Sequence, residues 1–193
     1  MAFFSLFGRE TAAFSEPALN LYRAAVTAAR AAPFYAVLGV PDTPDGRFDM
    51  IALHVFLVLR RLKQGGGPQA LALAQALTDQ MFADMDRSLR ELGVGDLGVG
   101  RQVKALAEAF MGRAAAYDLA LDDPGPLGRE GLAAALFRNI FRAAPNGEAA
   151  TAGTVALATH VRAADAALAA QAMDAILSGS ISFPSPPAAK TVD

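Results

Sequence analysis

Gly93-Val94-Gly95-Asp96-Leu97-Gly98 matches the spacing G-x-G-x-x-G, which in a suitable fold cradles a dinucleotide pyrophosphate. That chemistry needs a strand before the glycines and a helix after them, because the backbone must present its amides at a helix N-terminus. Here a helical pattern precedes the glycines. A glycine stop after one helix and a turn into the next explains the run without a nucleotide. The chain has two histidines, His54 and His160, far apart in sequence. His54 lies within the most apolar helical stretch, where a satisfied core imidazole is the simpler reading than a metal ligand. Asp79, Asp84, Asp86 and Glu91 share one helical segment, but no Glu-x-x-His spacing accompanies them, and carboxylates alone do not make a di-iron site. No nucleophile elbow places a serine for a Ser-His-Asp arrangement. With no cysteine in the chain, disulfides, thiolate nucleophiles and Cys-based zinc sites are excluded. Neither a catalytic residue nor a cofactor is expected.

The elements that carry these residues are helical. Apolar residues recur at spacings of three and four through most of the 193 residues, and no stretch alternates with period two for long enough to require a sheet. An all-α fold is expected, as a single compact domain of about six helices. Ser15 caps a first helix from Pro17, with Leu19, Tyr22, Val26 and Ala29 on one face. Pro33 interrupts it, and Phe34 to Leu38 add one turn. Residues 40–46 read as a loop. A second helix runs from Arg47 to Gln64 and is apolar on most sides, so it belongs at the centre of the fold. Gly65, Gly66 and Gly67 end it. A third helix from Pro68 to Leu92 carries Leu71, Ala74, Thr78, Met81, Met85 and Leu92 along one face. A fourth, Val99 to Leu121, has the cleanest stripe: Val99, Val103, Leu106, Phe110, Ala114, Tyr117 and Leu121. A fifth spans Arg129 to Ala143, and an Ala-rich sixth spans Ala150 to Leu177. Residues 1–14 form an apolar N-terminal segment, residues 15–178 the helical domain, and residues 179–193 a Pro-rich tail expected to fray.

Composition narrows the classes further. A hydrophobic share of 53% supplies a core and argues against disorder. A net charge of −2 does not suit a nucleic-acid footprint. The longest strongly apolar run, Met50 to Leu59, is shorter than the ~20 residues of a membrane span. The N-terminus has no secretory signal pattern, so a cytoplasmic location is expected. Phe3, Phe4, Leu6 and Phe7 beside Arg9 could touch a membrane surface peripherally, or pack on their own domain.

An ordered series of short markers adds a resemblance. It runs through Leu21-Tyr22, Arg30 and Phe34-Tyr35. It continues with Leu38-Gly39-Val40-Pro41-Asp42-Thr43, Asp45-Gly46-Arg47-Phe48-Asp49, His54 and Arg61-Leu62. Phe82, Asp84-Met85-Asp86 and Leu89-Arg90-Glu91 follow, then Gly93-Val94-Gly95-Asp96. Val103-Lys104, Phe110, Gly112-Arg113 and Ala116-Tyr117 close it. Together they are similar to the ubiquinol–cytochrome c chaperone family, and the similarity looks bacterial because no long targeting extension precedes it. The resemblance implies an all-helical assembly factor without catalysis. Mitochondrial members of that family bind newly made cytochrome b, act with a small accessory protein, associate with the ribosome, and support biogenesis of ubiquinol–cytochrome c reductase; a mature organellar member would lie on the matrix side.

Under that resemblance the charged residues of the third helix become candidates for partner binding. Asp84, Arg87 and Glu91 recur at i, i+3 and i+7, and Arg90, Asp96 and Lys104 extend the charged edge. Arg113 and Tyr117 complete the candidate set. A solvated helix face accounts for the same charges, with Asp86–Arg90 and Arg87–Glu91 as pairs contributing about 0.2–0.5 kcal/mol each. Met81, Met85 and Met111 suit either adaptable client contacts or core filling. The alternative function is a small enzyme or ligand binder with a pocket near His54, Arg47, Arg113 and Tyr117. A bound ligand or a cluster of desolvated polar groups facing a cavity would favour this alternative, and an open apolar groove with a charged rim and no cavity would favour the chaperone.

Overall fold

Thr43 starts the central helix earlier than its apolar pattern suggests. Its hydroxyl accepts a hydrogen bond from the Gly46 amide at 3.1 Å, and Pro44 at the first helical position needs no amide partner. The loop expected over 40–46 is therefore shorter, and the helix runs Pro44–Gly65. The computed structural model describes residues 14–141 and 147–187. In chain order the helices are α1 (Ser15–Ala29), α2 (Ala32–Ala36), α3 (Pro44–Gly65), α4 (Gly67–Glu91), α5 (Asp96–Asp122), α6 (Pro126–Leu136), α7 (Gly147–Ala169) and α8 (Met173–Leu177). A π-helical stretch, Phe137–Phe141, extends α6. Six of the helices have eleven residues or more, and no strand occurs among the described residues. The fold is all-α.

Helix α3 is the axis of the core. It packs against α1, α4 and α7, with lighter contact to α5 and the π-helical stretch. Met50, Leu53, Val55, Leu57, Val58 and Leu62 are all buried, on more than one side of the helix, as a central position requires. Each such side chain removed from water contributes about 1.5–3 kcal/mol. The turn from α3 into α4 is sharp because Gly66 (φ 66°) and Gly67 (φ 82°) occupy the left-handed region. It folds α4 back as a neighbour of α3.

Two apolar faces differ from the pattern read along the sequence. On α1 the buried stripe is Ala18, Leu21, Tyr22, Ala25 and Ala29, while Leu19 and Val26 are only half-buried. Alanines bring α1 close to α3 and α4, so small residues fill the interface. On α4 the buried row is Ala70, Leu73, Ala76, Leu77, Met81 and Met85, and Leu71 and Leu92 stand out in solvent. The Ala-rich sixth helix is two pieces, α7 and α8, with a break at 170–172. The beginning of the tail does not fray. Ile181 and Phe183 pack on the core, and the Gln171 side chain bonds both ways with the Ser182 backbone, at 2.8 and 2.9 Å.

Charge is handled differently inside. Arg60 on α3 is nearly buried and gathers carboxylates from two other helices. It bonds Asp122 at 2.8 Å and Asp118 on α5, and Asp165 on α7 at 3.1 Å. Lys63 adds a second cation on Asp118 at 2.8 Å. Arg61 bonds the carbonyls of Leu168 and Gln171, so α3 also caps the end of α7.

Candidate functional site

Helices α1, α3, α4 and α5 do not close completely on one another. Between them lies a groove of about 750 Å³. Its apolar surface comes from Phe48 and Ile51 on α3, Met85 and Leu89 on α4, and Leu106 on α5, with exposed Leu92 at the edge. These are the positions where an amphipathic stripe outruns the partner helix that would cover it. Arg30, Asp42, Asp45 and Arg47 line one side of the rim, and Asp84, Ser88 and Gln102 the other. Arg47 pairs with Asp42 at 2.6 Å. Tyr22 donates to Asp84 at 2.7 Å, joining α1 to α4 at the groove wall. Burial, and then the bond to the Asp84 carboxylate, hold the Tyr22 phenol well above its ordinary range, so it stays a donor.

The candidate partner-binding residues fall into three groups. Asp84 lines the groove. Arg87, Arg90, Glu91, Asp96 and Lys104 are exposed around the α4–α5 turn and along α5. Arg90 bridges Asp86, at 2.7 Å, and Asp96, and so ties the end of α4 to the start of α5. Arg87 pairs with Asp84 at 3.7 Å rather than with Glu91, and Lys104 pairs with Glu108 at 3.8 Å. Arg113 and Tyr117 point inward. Arg113 is bonded to buried Asp49, and Tyr117 packs on Phe56 and accepts from Asn139 at 3.3 Å. Burial pushes the Tyr117 phenol up to about 12. The glycine run Gly93 to Gly98 joins two helices, with Gly93 at φ 84°. Met81 is core, Met85 is core with one side on the groove, and Met111 is exposed. Phe3, Phe4, Leu6 and Phe7 lie outside the described residues.

The four residues of the alternative pocket do not converge. Arg47 lines the groove, His54 lines a separate cavity, and Arg113 and Tyr117 line neither. Among the groove residues, Arg30, Asp42, Asp45, Arg47 and Phe48 were not placed in any partner site by periodicity. Their signal was the marker series, in which residues 38–49 and 82–96 stand as two blocks. The fold sets those blocks on facing walls of one groove.

Residues 36–183 match the family model described as "Ubiquinol-cytochrome C chaperone". The chain is similar to the ubiquinol-cytochrome-c reductase complex assembly factor 1 of Xenopus laevis, 25% identical over 124 residues. That match covers 64% of this chain and 60% of the frog protein, so it spans less than two thirds of that relative. A crystal structure of the Cbp3 homolog from Brucella abortus is similar at 41% identity and a TM-score of 0.78. It covers 94% of this chain and 96% of the other.

Proposed function

The chain belongs to the ubiquinol–cytochrome c chaperone family, and from that premise we propose that it is a non-catalytic assembly chaperone that holds newly made cytochrome b during biogenesis of ubiquinol–cytochrome c reductase. The observation that carries the reading is the groove: an open apolar trough of about 750 Å³ with charges of both signs on its rim. An apolar floor accepts the side chains of a hydrophobic client segment, and desolvating them drives association. The charged rim sets orientation and association rate rather than most of the affinity. Asp84 acts there as a rim contact, and Arg87, Arg90, Glu91, Asp96 and Lys104, exposed around the α4–α5 turn and along α5, extend the charged surface beside it. Arg113 and Tyr117 support the groove's helices from beneath. A ribosome, a small accessory protein, and a membrane surface touched by Phe3, Phe4 and Phe7 are further partners that fit the same role. No helix among the described residues is long and apolar enough to cross a membrane, which suits a chaperone that meets its client at a membrane without spanning it.

The test fills the groove without disturbing the core. Ala105 lines the groove from an exposed position, so Ala105→Trp blocks it at little cost in folding. Capture of newly synthesised cytochrome b by the tagged variant should fall at least about tenfold with an unchanged melting temperature. A deletion strain without a redundant homologue should lose assembled reductase and haem-loaded cytochrome b. Normal levels of both in that strain would refute the assignment. Undiminished capture by Ala105→Trp would move the client to another face.

A further inference from the structure

The groove leaves an apolar floor in water, and the same chain carries a compact apolar cluster: Phe3, Phe4, Leu6 and Phe7. These four belong to residues 1–13, which precede the described part of the chain. The described fold begins at Phe14, half-buried against the core, and passes directly into α1. Helix α1 then runs to the groove, which Tyr22 and Arg30 line.

One flank of α1 connects the two. Ser15, Leu19, Tyr22, Val26 and Arg30 recur at i, i+4, i+7, i+11 and i+15, so they form one ridge. Tyr22 and Arg30 put that ridge on the groove side, while Ala24, Thr27, Ala28 and Ala31 on the opposite flank line the recess beside His54. Leu19 and Val26 on the ridge are only half-buried. An apolar track therefore leads from the point where residues 1–13 join the fold to the groove itself.

The lengths agree. Along α1, Tyr22 lies about 12 Å from Phe14 and Arg30 about 24 Å from it. Extended chain from Phe14 reaches about 23 Å at Phe7 and about 36 Å at Phe3. The cluster thus covers the distances at which the groove lies. The sizes agree as well. An apolar cavity of about 150 Å³ takes one benzene ring, so the groove, at about 750 Å³, has room for several groups of that size. The cluster presents three rings and one leucine. Arg9, with a reach of about 17 Å from Phe14, comes level with Asp84, which Tyr22 holds at the groove wall.

We propose that Phe3, Phe4, Leu6 and Phe7 dock in the groove of their own chain and cover its apolar floor until a client displaces them. The inference rests on the reading of the groove as the client site and adds its regulation. A short tether holds the segment at an effective concentration on the order of millimolar, enough to exclude weak apolar contacts. A client that buries more apolar surface takes its place.

The chain has no cysteine, so engineered thiols are read without background. In the full chain, Leu6→Cys is combined either with Ala105→Cys in the groove or with Thr27→Cys on the opposite flank of α1, both exposed positions. Thr27 lies about 20 Å from Phe14, within the roughly 26 Å that the chain spans from Phe14 to Leu6, so tether length does not separate the pairs. In a glutathione buffer, the disulfide between positions 6 and 105 should show an effective concentration at least about tenfold above that between 6 and 27. Phe3→Ser, Phe4→Ser and Phe7→Ser together should abolish that preference with an unchanged circular dichroism spectrum. The same triple variant should capture newly made cytochrome b at least about threefold better, because self-occupancy lowers apparent affinity by the fraction of grooves left open.

Equal or lower effective concentration at positions 6 and 105 would overturn the docking. Disulfides that join two copies and grow with protein concentration would also overturn it, since they put the segment in a neighbour's groove. A preference that survives the three serines would overturn it too. The docking and the client site fail separately. If the serines abolish the preference and capture stays unchanged, the docking stands and the client lies elsewhere. If Ala105→Trp blocks capture and no preference exists, the groove stands as the client site and the docking is wrong.

Discussion

Arg60 and Arg90 each hold more than one carboxylate, yet they do different work. Arg60 is nearly buried, and its partners reach it from α5 and α7, 105 residues away in the case of Asp165. Arg90 is about half exposed, and its partners are Asp86 on its own helix and Asp96 just across a turn. In the interior the guanidinium has little water to fall back on, and losing it leaves mostly buried Asp165 without its cation and Asp118 with Lys63 alone. At the exposed α4–α5 turn water takes the place of a lost partner. The same chemistry therefore fastens the fold in one region and ties an exposed helix turn in the other. His54 and His160, buried with ring centroids 6.5 Å apart, are the interior's second solution: they stay neutral instead of pairing.

The sharpest way to break the contrast is Arg60→Met. It leaves Asp118 and Asp165 without their guanidinium, and stability in urea should fall by about 3–5 kcal/mol. A loss under about 1 kcal/mol would mean that the junction is as solvated as the rim.

Acid should expose the second interior solution. Burial pushes His54 down from 6.5 to about 4, against a small rise from its bond to the Met50 carbonyl. The unfolded chain therefore binds this proton first. Stability should be level above pH 6.5 and decline by about 3 kcal/mol as pH falls to 4. His160, lowered by burial, adds to the same slope. Asp118 acts at still lower pH. Burial raises its carboxyl, but the bonds from Lys63 and Arg60 outweigh burial and hold it below the ordinary value. Its contribution is present above the ordinary carboxylate pKa and is lost as pH drops through the folded one. His54→Leu should flatten the slope between pH 6.5 and 4, whatever it does to overall stability, and an unaltered slope would remove His54 from the account.

Smaller effects are expected at the surface. Arg90→Ala frees the α4–α5 turn and should leave the urea midpoint almost unchanged, because solvent screens an exposed pair. Arg47→Glu, on the groove rim, should leave the melting temperature almost unchanged. Its effect should appear in client association instead, as a slower rate whose deficit shrinks as salt is added. A rim reversal that unfolds the protein, or that leaves association untouched at low salt, would erase the distinction between the two regions.

The sequence by itself determined that this chain is helical, where most helices end, and that α3 is central; four helices begin three residues before the apolar pattern does. Those features depend on hydrogen bonds between residues four apart and on a stripe repeating every 3.6 residues, so they are written locally. Its marker series also pointed to the family. Tertiary structure alone decided which stripe met which partner. Alanines moved the buried face of α1 away from Leu19, and the direction of α4 left Leu71 and Leu92 in water. Packing of α1, α3, α4 and α5 set residues 42–48 opposite residues 84–92 as a groove, and turned Arg113 and Tyr117 inward. It brought Arg60 to Asp165 and His54 to His160 across the length of the chain. No local rule relates residues so far apart, because their meeting depends on the lengths and crossing directions of every helix between them.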